Sequence, residues 1–274
     1  MKTLFRALAL MPLVVLHGMG VAIGWLSFLL SGTYRRRFLE NARQAGFAFD
    51  RIRAAIAESG KLAMETPRLW FGARAHVEWE GAELIDAARA SGRGILFLTP
   101  HLGCFEVTAQ GYARRYGRIT VLYRPARKRW LRELVDTARE RSNLAAAPTT
   151  LAGVRQLLKA LKSGEAVGLL PDQVPPQGLG VWAPFFGKAA YTMTLPARLA
   201  QQANALVLFV WGERLRFGRG YRVHVRALGE PLARDPAQAA AQVNHRMEAL
   251  IRECPAQYMW GYARYKEPRK ELAL

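Results

Sequence analysis

The spacing of apolar and polar positions along the chain changes several times, and each change marks an element. Residues 7–30, "ALALMPLVVLHGMGVAIGWLSFLL", are apolar and contain no Asp, Glu, Lys or Arg. At about 1.5 Å per residue, this run is long enough to cross a bilayer. Pro12, His17 and the glycines make it a poor helix for a soluble core, and no A-x-A cleavage site follows it. Gly20 and Gly24 form a GxxxG spacing, which lets helix backbones approach closely. The segment reads as an N-terminal membrane anchor over 1–33. Arg35, Arg36 and Arg37 behind it keep the following domain, 34–274, on the cytoplasmic side.

Beyond the anchor the pattern predicts helices at 35–47, 50–73 and 81–91. Short apolar runs bounded by Gly or Pro then alternate with helical stretches. Strands are predicted at 94–99, 118–123 and 165–170, with helices at 102–116, 127–141 and 150–163. A Pro/Gly-rich loop at 171–189 leads to a helix at 192–203, strands at 205–211 and 221–228, and a helix at 236–253. Strands separated by helices make an α/β fold with a mostly parallel central sheet flanked by helices. No repeat and no flexible linker divides the chain after the anchor.

The formal charge of +19 calls for an anionic partner: nucleic acid, an anionic membrane surface, or an acidic substrate or protein. The basic residues are scattered, with no basic tail, which argues against a disordered nucleic-acid-binding arm. Cys104 and Cys254 form neither a disulfide framework nor a zinc spacing, in keeping with a reducing compartment.

Ligands of open parallel sheets collect at the carboxyl ends of the strands. Three predicted strands end in polar residues: His101 after 94–99, Arg124 in "YRP" after 118–123, and Asp172 with Gln173 in "LPDQ" after 165–170. In "LTPHLGCFEV", His101 and Glu106 are five positions apart. A helix would hold them about 140° apart and a strand would point them to opposite faces. They can meet only across a strand-to-helix junction. His101 suits general-base work near neutral pH, and a carboxylate on its other ring nitrogen would fix the tautomer. No G-x-S-x-G nucleophile is present, so such a base would activate a hydroxyl of the substrate, which points to transfer onto an alcohol.

His101-x4-Glu106, "YRP" at 123–125, "LPDQ" at 170–173, "APFFGKAAYTMTLPARLA" at 183–200 and "QYMWGYARYKEP" at 257–268 resemble the lipid A biosynthesis acyltransferases. These late lauroyl and myristoyl transferases belong to the wider glycerolipid acyltransferase superfamily. The resemblance implies that superfamily's fold behind a membrane-anchoring helix. It also implies acyl transfer from acyl carrier protein to a hydroxyl on a lipid A precursor, at the cytoplasmic face of the bacterial inner membrane. It makes His101 the base and Glu106 its orienting partner, with Arg124, Asp172 and Gln173 near the substrate. Phe185, Phe186 and Gly187 would bind the acyl chain or shape the loop around it. An anionic glycolipid, an acidic carrier protein and an anionic membrane face all match a basic enzyme.

No cofactor is implied. "GLGVWA" at 178–183 has the dinucleotide spacing but follows a Pro-rich loop rather than a strand, and the histidines show no metal spacing. Nucleic-acid binding rests on charge alone and explains neither the anchor nor the strand ends. A related acyltransferase acting on another glycolipid or aminolipid, or using acyl-CoA, is the nearer alternative.

Overall fold

A computed structural model describes residues 2–123 and 143–270. The predicted helix at 127–141 and Arg124 lie outside the described residues. The N-terminal apolar run is two helices, α1 (Lys2–Leu10) and α2 (Leu13–Leu30), interrupted at Pro12, which lacks the N–H that a continuing helix needs. The next helices are α3 (Gly32–Gln44), capped by Ser31 Oγ accepting from Tyr34 N at 3.3 Å, α4 (Phe49–Ile52) and α5 (Ala54–Phe71).

Helix α2, about 27 Å long, does not project alone. It lies along α5, with Leu13, Leu16, His17, Gly20, Gly24 and Phe28 buried. Gly20 and Gly24 meet Gly60 backbone to backbone, and a methyl group at Gly20 would sit 2.6 Å from Lys61 Cα. The GxxxG spacing therefore serves a contact inside this chain. The other side of α2 leaves Val14, Val15, Met19, Ile23, Leu26 and Leu29 exposed.

The central sheet runs β1-β9-β8-β2-β5-β3-β4. Its strands are β1 (Val77–Glu80), β2 (Ile95–Leu98), β3 (Ile119–Tyr123), β4 (Leu144–Pro148), β5 (Ala166–Leu169), β8 (Leu206–Arg214) and β9 (Tyr221–Ala227). A separate hairpin pairs β6 (Gly180–Phe185) with β7 (Lys188–Met193). Strands β8, β2, β5, β3 and β4 are mutually parallel, and β9 turns back antiparallel beside β8. Strands β2 and β5 are buried throughout, as parallel strands covered on both faces must be. Ile95 and Phe97 enter one core layer, and Leu96 and Leu98 enter the other. The covering helices are α6 (Ala82–Ala90), α7 (Glu106–Arg115), α8 (Leu151–Lys162), α9 (Leu195–Ala203) and α10 (Pro236–Glu253).

The predicted helix at 50–73 is two helices, α4 and α5, and the structure departs from the sequence expectations in four further places. The predicted helix at 102–116 starts only at Glu106, because Gly103 at φ +60° turns the chain into a loop paired with Gly212 and Tyr258. The predicted loop at 171–189 contains β6 and the start of β7. Phe186 and Gly187, at φ +49° and +74°, form the tight reversal between these strands, a backbone shape suited to a two-residue hairpin. Strand β7 runs to Met193, so the following helix begins at Leu195 rather than 192. Strands β1, "VEWE", and β4, "LAAAP", are additional elements.

Candidate active site

Parallel register builds the site. Leu98 of β2 pairs with Leu169 of β5, and Thr99 N donates to Leu169 O at 2.9 Å. His101 and Asp172 each lie three residues past that pair, so the two strands deliver them side by side. His101 Nδ1 is 2.7 Å from Asp172 Oδ1, and His101 N donates to Asp172 Oδ2 at 2.8 Å. One carboxylate thus fixes both the ring and the backbone that carries it. Gln173 Nε2 lies 3.0 Å from His101 Nε2, and the Phe105 ring meets the imidazole edge-on at 5.0 Å. Met259 N donates to His101 O at 3.1 Å, tying the loop to the C-terminal segment.

The electrostatics favour an ionised Asp172. Burial pushes its carboxyl up, but the His101 charge and hydrogen bonds outweigh this and leave it below the ordinary carboxylate range. An ionised Asp172 makes Nδ1 the donor, so that in the neutral ring the lone pair is on Nε2, facing Gln173. Behind it, burial and then the Asp172 charge push the Tyr258 hydroxyl well up, which keeps it neutral. The buried Arg264 bonds Tyr191 O at 2.8 Å and Thr192 Oγ1 at 2.7 Å.

It is Asp172, from the neighbouring strand, that holds Nδ1. Glu106, opening α7, accepts from Trp70 Nε1 at 3.3 Å. It also lines an apolar cavity whose walls include Thr99, Phe97, Tyr112, Val121, Leu169 and Val210. Phe185 and Phe186 lie elsewhere. They are buried in the core under the hairpin, where Phe186 packs against Trp260, Arg252 covers the Phe186 ring and Arg264 covers the Phe185 ring. Gly187 completes the reversal between β6 and β7, and neither Phe lines this cavity.

Trp70 and Tyr258 had no assigned function from sequence. Tyr258 lies in the C-terminal "QYMWGYARYKEP" block, which was one of the signals for the resemblance. Trp70 carries no such signal, because only the folded chain brings it to Glu106. Cys104 is buried and its thiol is pushed far above its ordinary range, first by burial and then by the Glu65 charge. It is therefore no nucleophile.

A mostly parallel sheet with a carboxylate-held histidine at its strand ends, against a Phe105 ring that lines an apolar cavity, is suited to acyl transfer. Residues 3–267 match the family described as bacterial lipid A biosynthesis acyltransferase. The chain belongs to this family and is an acyltransferase. It is 31% identical to the lipid A biosynthesis lauroyltransferase of Escherichia coli (strain K12) over 209 residues, 74% of this chain and 67% of the relative. It is 29% identical to the palmitoleoyltransferase of the same strain over 212 residues, covering 76% and 68%. It is 24% identical to the myristoyltransferase over 213 residues, covering 75% and 63%.

Proposed function

We propose that this chain moves a fatty acyl group from the thioester of an acyl carrier protein to a hydroxyl of a lipid A precursor. The observation that carries this reading is the Asp172–His101 pair, whose imidazole meets the ring of Phe105, a wall of the apolar cavity. In the proposed step the acceptor hydroxyl replaces the Gln173 amide at His101 Nε2 and gives its proton to the ring as its oxygen attacks the thioester carbonyl. The tetrahedral intermediate collapses, the C–S bond breaks, and the proton returns from His101 to the departing thiolate. Asp172 stabilises the imidazolium that forms between the two transfers. The acyl chain lies in the cavity among Phe97, Tyr112 and Val121. Glu106, which lines the same cavity, supports the imidazolium through its charge.

Residues 1–33 act as the membrane anchor of the 34–274 domain, at the cytoplasmic face of the bacterial inner membrane. The exposed apolar side of α2 and the basic residues behind it support this placement. The excess of 40 Lys and Arg over 21 Asp and Glu suits an acidic carrier protein and an anionic acceptor.

The test is turnover by the purified protein in detergent, read by mass spectrometry of the lipid product. Acyl carrier protein and CoA thioesters are compared as donors, with His101→Ala as control. Acylated lipid A precursor from the carrier donor, absent with His101→Ala, is expected. Product only on another glycolipid or aminolipid, or only from acyl-CoA, overturns the corresponding part of the reading.

A further inference from the structure

The His101 loop is also held from below. Arg214, at the end of β8, is buried, and its Nη2 donates to Gly103 O at 2.8 Å, two residues from the base. Gly103 N donates to Gln257 O at 3.0 Å and Cys104 N to Gly212 O at 2.7 Å. Gln257 Oε1 in turn accepts from Arg214 N at 2.9 Å. The guanidinium is fixed by α5: Nη2 and Nε bond Glu65 at 2.7 and 2.9 Å, and Nη1 reaches Glu58 at 3.2 Å. Glu65 is fully buried, accepts from Tyr221 Oη at 2.9 Å, and lies 3.0 Å from His17 Nε2 of α2. One continuous polar network thus runs from the N-terminal apolar helix to the loop that carries His101.

A buried ion pair is weak evidence for stability, because desolvation offsets much of the Coulomb gain, whereas its directional bonds fix geometry well. The fork of Arg214 joins α5 to a backbone carbonyl in the loop between β2 and α7. We propose that Arg214 is a positioning residue for the His101 loop, braced by Glu65 and, through Glu65, by His17 of α2. This rests on His101 being the base.

The test replaces the pair by apolar residues of similar size, Glu65→Met with Arg214→Met, because such exchanges often leave a fold as stable as before. Steady-state turnover is measured together with hydrogen exchange of the peptide spanning residues 99–107. The expected result is faster exchange confined to that peptide and to 257–260. With it, kcat falls about 30-fold or more while both KM values stay within about threefold, the scale of loss for a slightly misplaced catalytic group. Arg214→Lys, which keeps one donor, is expected to recover part of the loss and serves alone if the double variant does not fold. Exchange and kcat within about threefold of wild type in either folded variant overturn the proposal, as does acceleration spread evenly over the whole sheet. His101→Ala in the same assay separates the two readings: if it remains active, the base assignment fails instead.

Discussion

At the residue scale the site turns on a difference between chain neighbours and spatial neighbours. Glu106 is five residues from His101, yet the carboxylate on the ring comes from Asp172, 71 residues away. Sequence could mark both as residues at strand ends, but not pair them, because the pairing depends on which strands are adjacent. Strands β2 and β5 are adjacent although β3 and β4 intervene in sequence. Once that order is known, equal distances of three residues past Leu98 and Leu169 bring His101 and Asp172 together. Asp172→Asn should therefore keep the loop in place but leave the imidazole in the wrong tautomer. A fall in kcat of about 10³–10⁴, with little change in either KM, is expected from steady-state kinetics. Glu106→Gln can still accept from Trp70 while losing its charge. Its expected loss is about 10–100-fold, smaller than that of Asp172→Asn, and the reverse order would return the orienting role to Glu106.

At the element scale, the strands and helices with strong periodicity were legible: β2, β3, β5, α8 and α10 lie where the pattern puts them. Strand β4 was not, since "LAAAP" has little strand preference and exists through its ladder with β3. The β6–β7 hairpin was hidden by its prolines and glycines, which are tolerated because this two-stranded element is all edge. The apolar N-terminal run was legible, but its docking onto α5 was not. That docking makes a prediction possible. A side chain at Gly24 would run into the Ile56 carbonyl, so Gly24→Leu should push α2 off α5 while making it more apolar. Membrane pelleting should persist, whereas turnover in detergent should fall about 10-fold or more as His17 leaves Glu65. Unchanged turnover would reduce α2 to a tether. The same network sets an acid limit on the fold. Burial pushes the Glu65 carboxyl up, but the Arg214 charge and the bonds from His17 and Arg214 bring it down to about 2 from its ordinary 4.5. A depressed carboxyl stabilises the fold fully above its unfolded value and loses that contribution as pH falls through the folded one. Wild type should therefore exceed Glu65→Gln by about 3 kcal/mol or more at pH 7, a gap that closes between about pH 4.5 and 2 in urea titrations. A gap independent of pH would show that Glu65 acts by shape alone.

At the scale of the whole molecule, the charge of +19 is spread over the chain rather than gathered in one tail. A distributed field acts on large, highly charged partners more than on small ones, and it acts mainly on encounter. An acidic carrier protein presents a broad surface to that field, whereas acyl-CoA presents a few phosphates. The basic residues Arg127, Lys128, Arg129 and Arg132, which follow "YRP" in sequence, lie outside the described residues, so ionic strength is a cleaner probe than any single reversal. Raising salt from about 10 mM to 150 mM shortens the screening length from roughly 30 Å to 8 Å. The KM for the carrier-protein donor should then rise steeply, about 10-fold or more, while kcat at saturating donor stays nearly constant, because the Asp172–His101 pair is shielded from bulk ions. The response with acyl-CoA should be shallower. Holding the lipid acceptor in neutral detergent micelles keeps membrane attraction out of the comparison. Equal salt slopes for the two donors would assign the basic surface to lipid phosphates instead of the carrier, and a flat response for both would leave the charge with no part in donor capture.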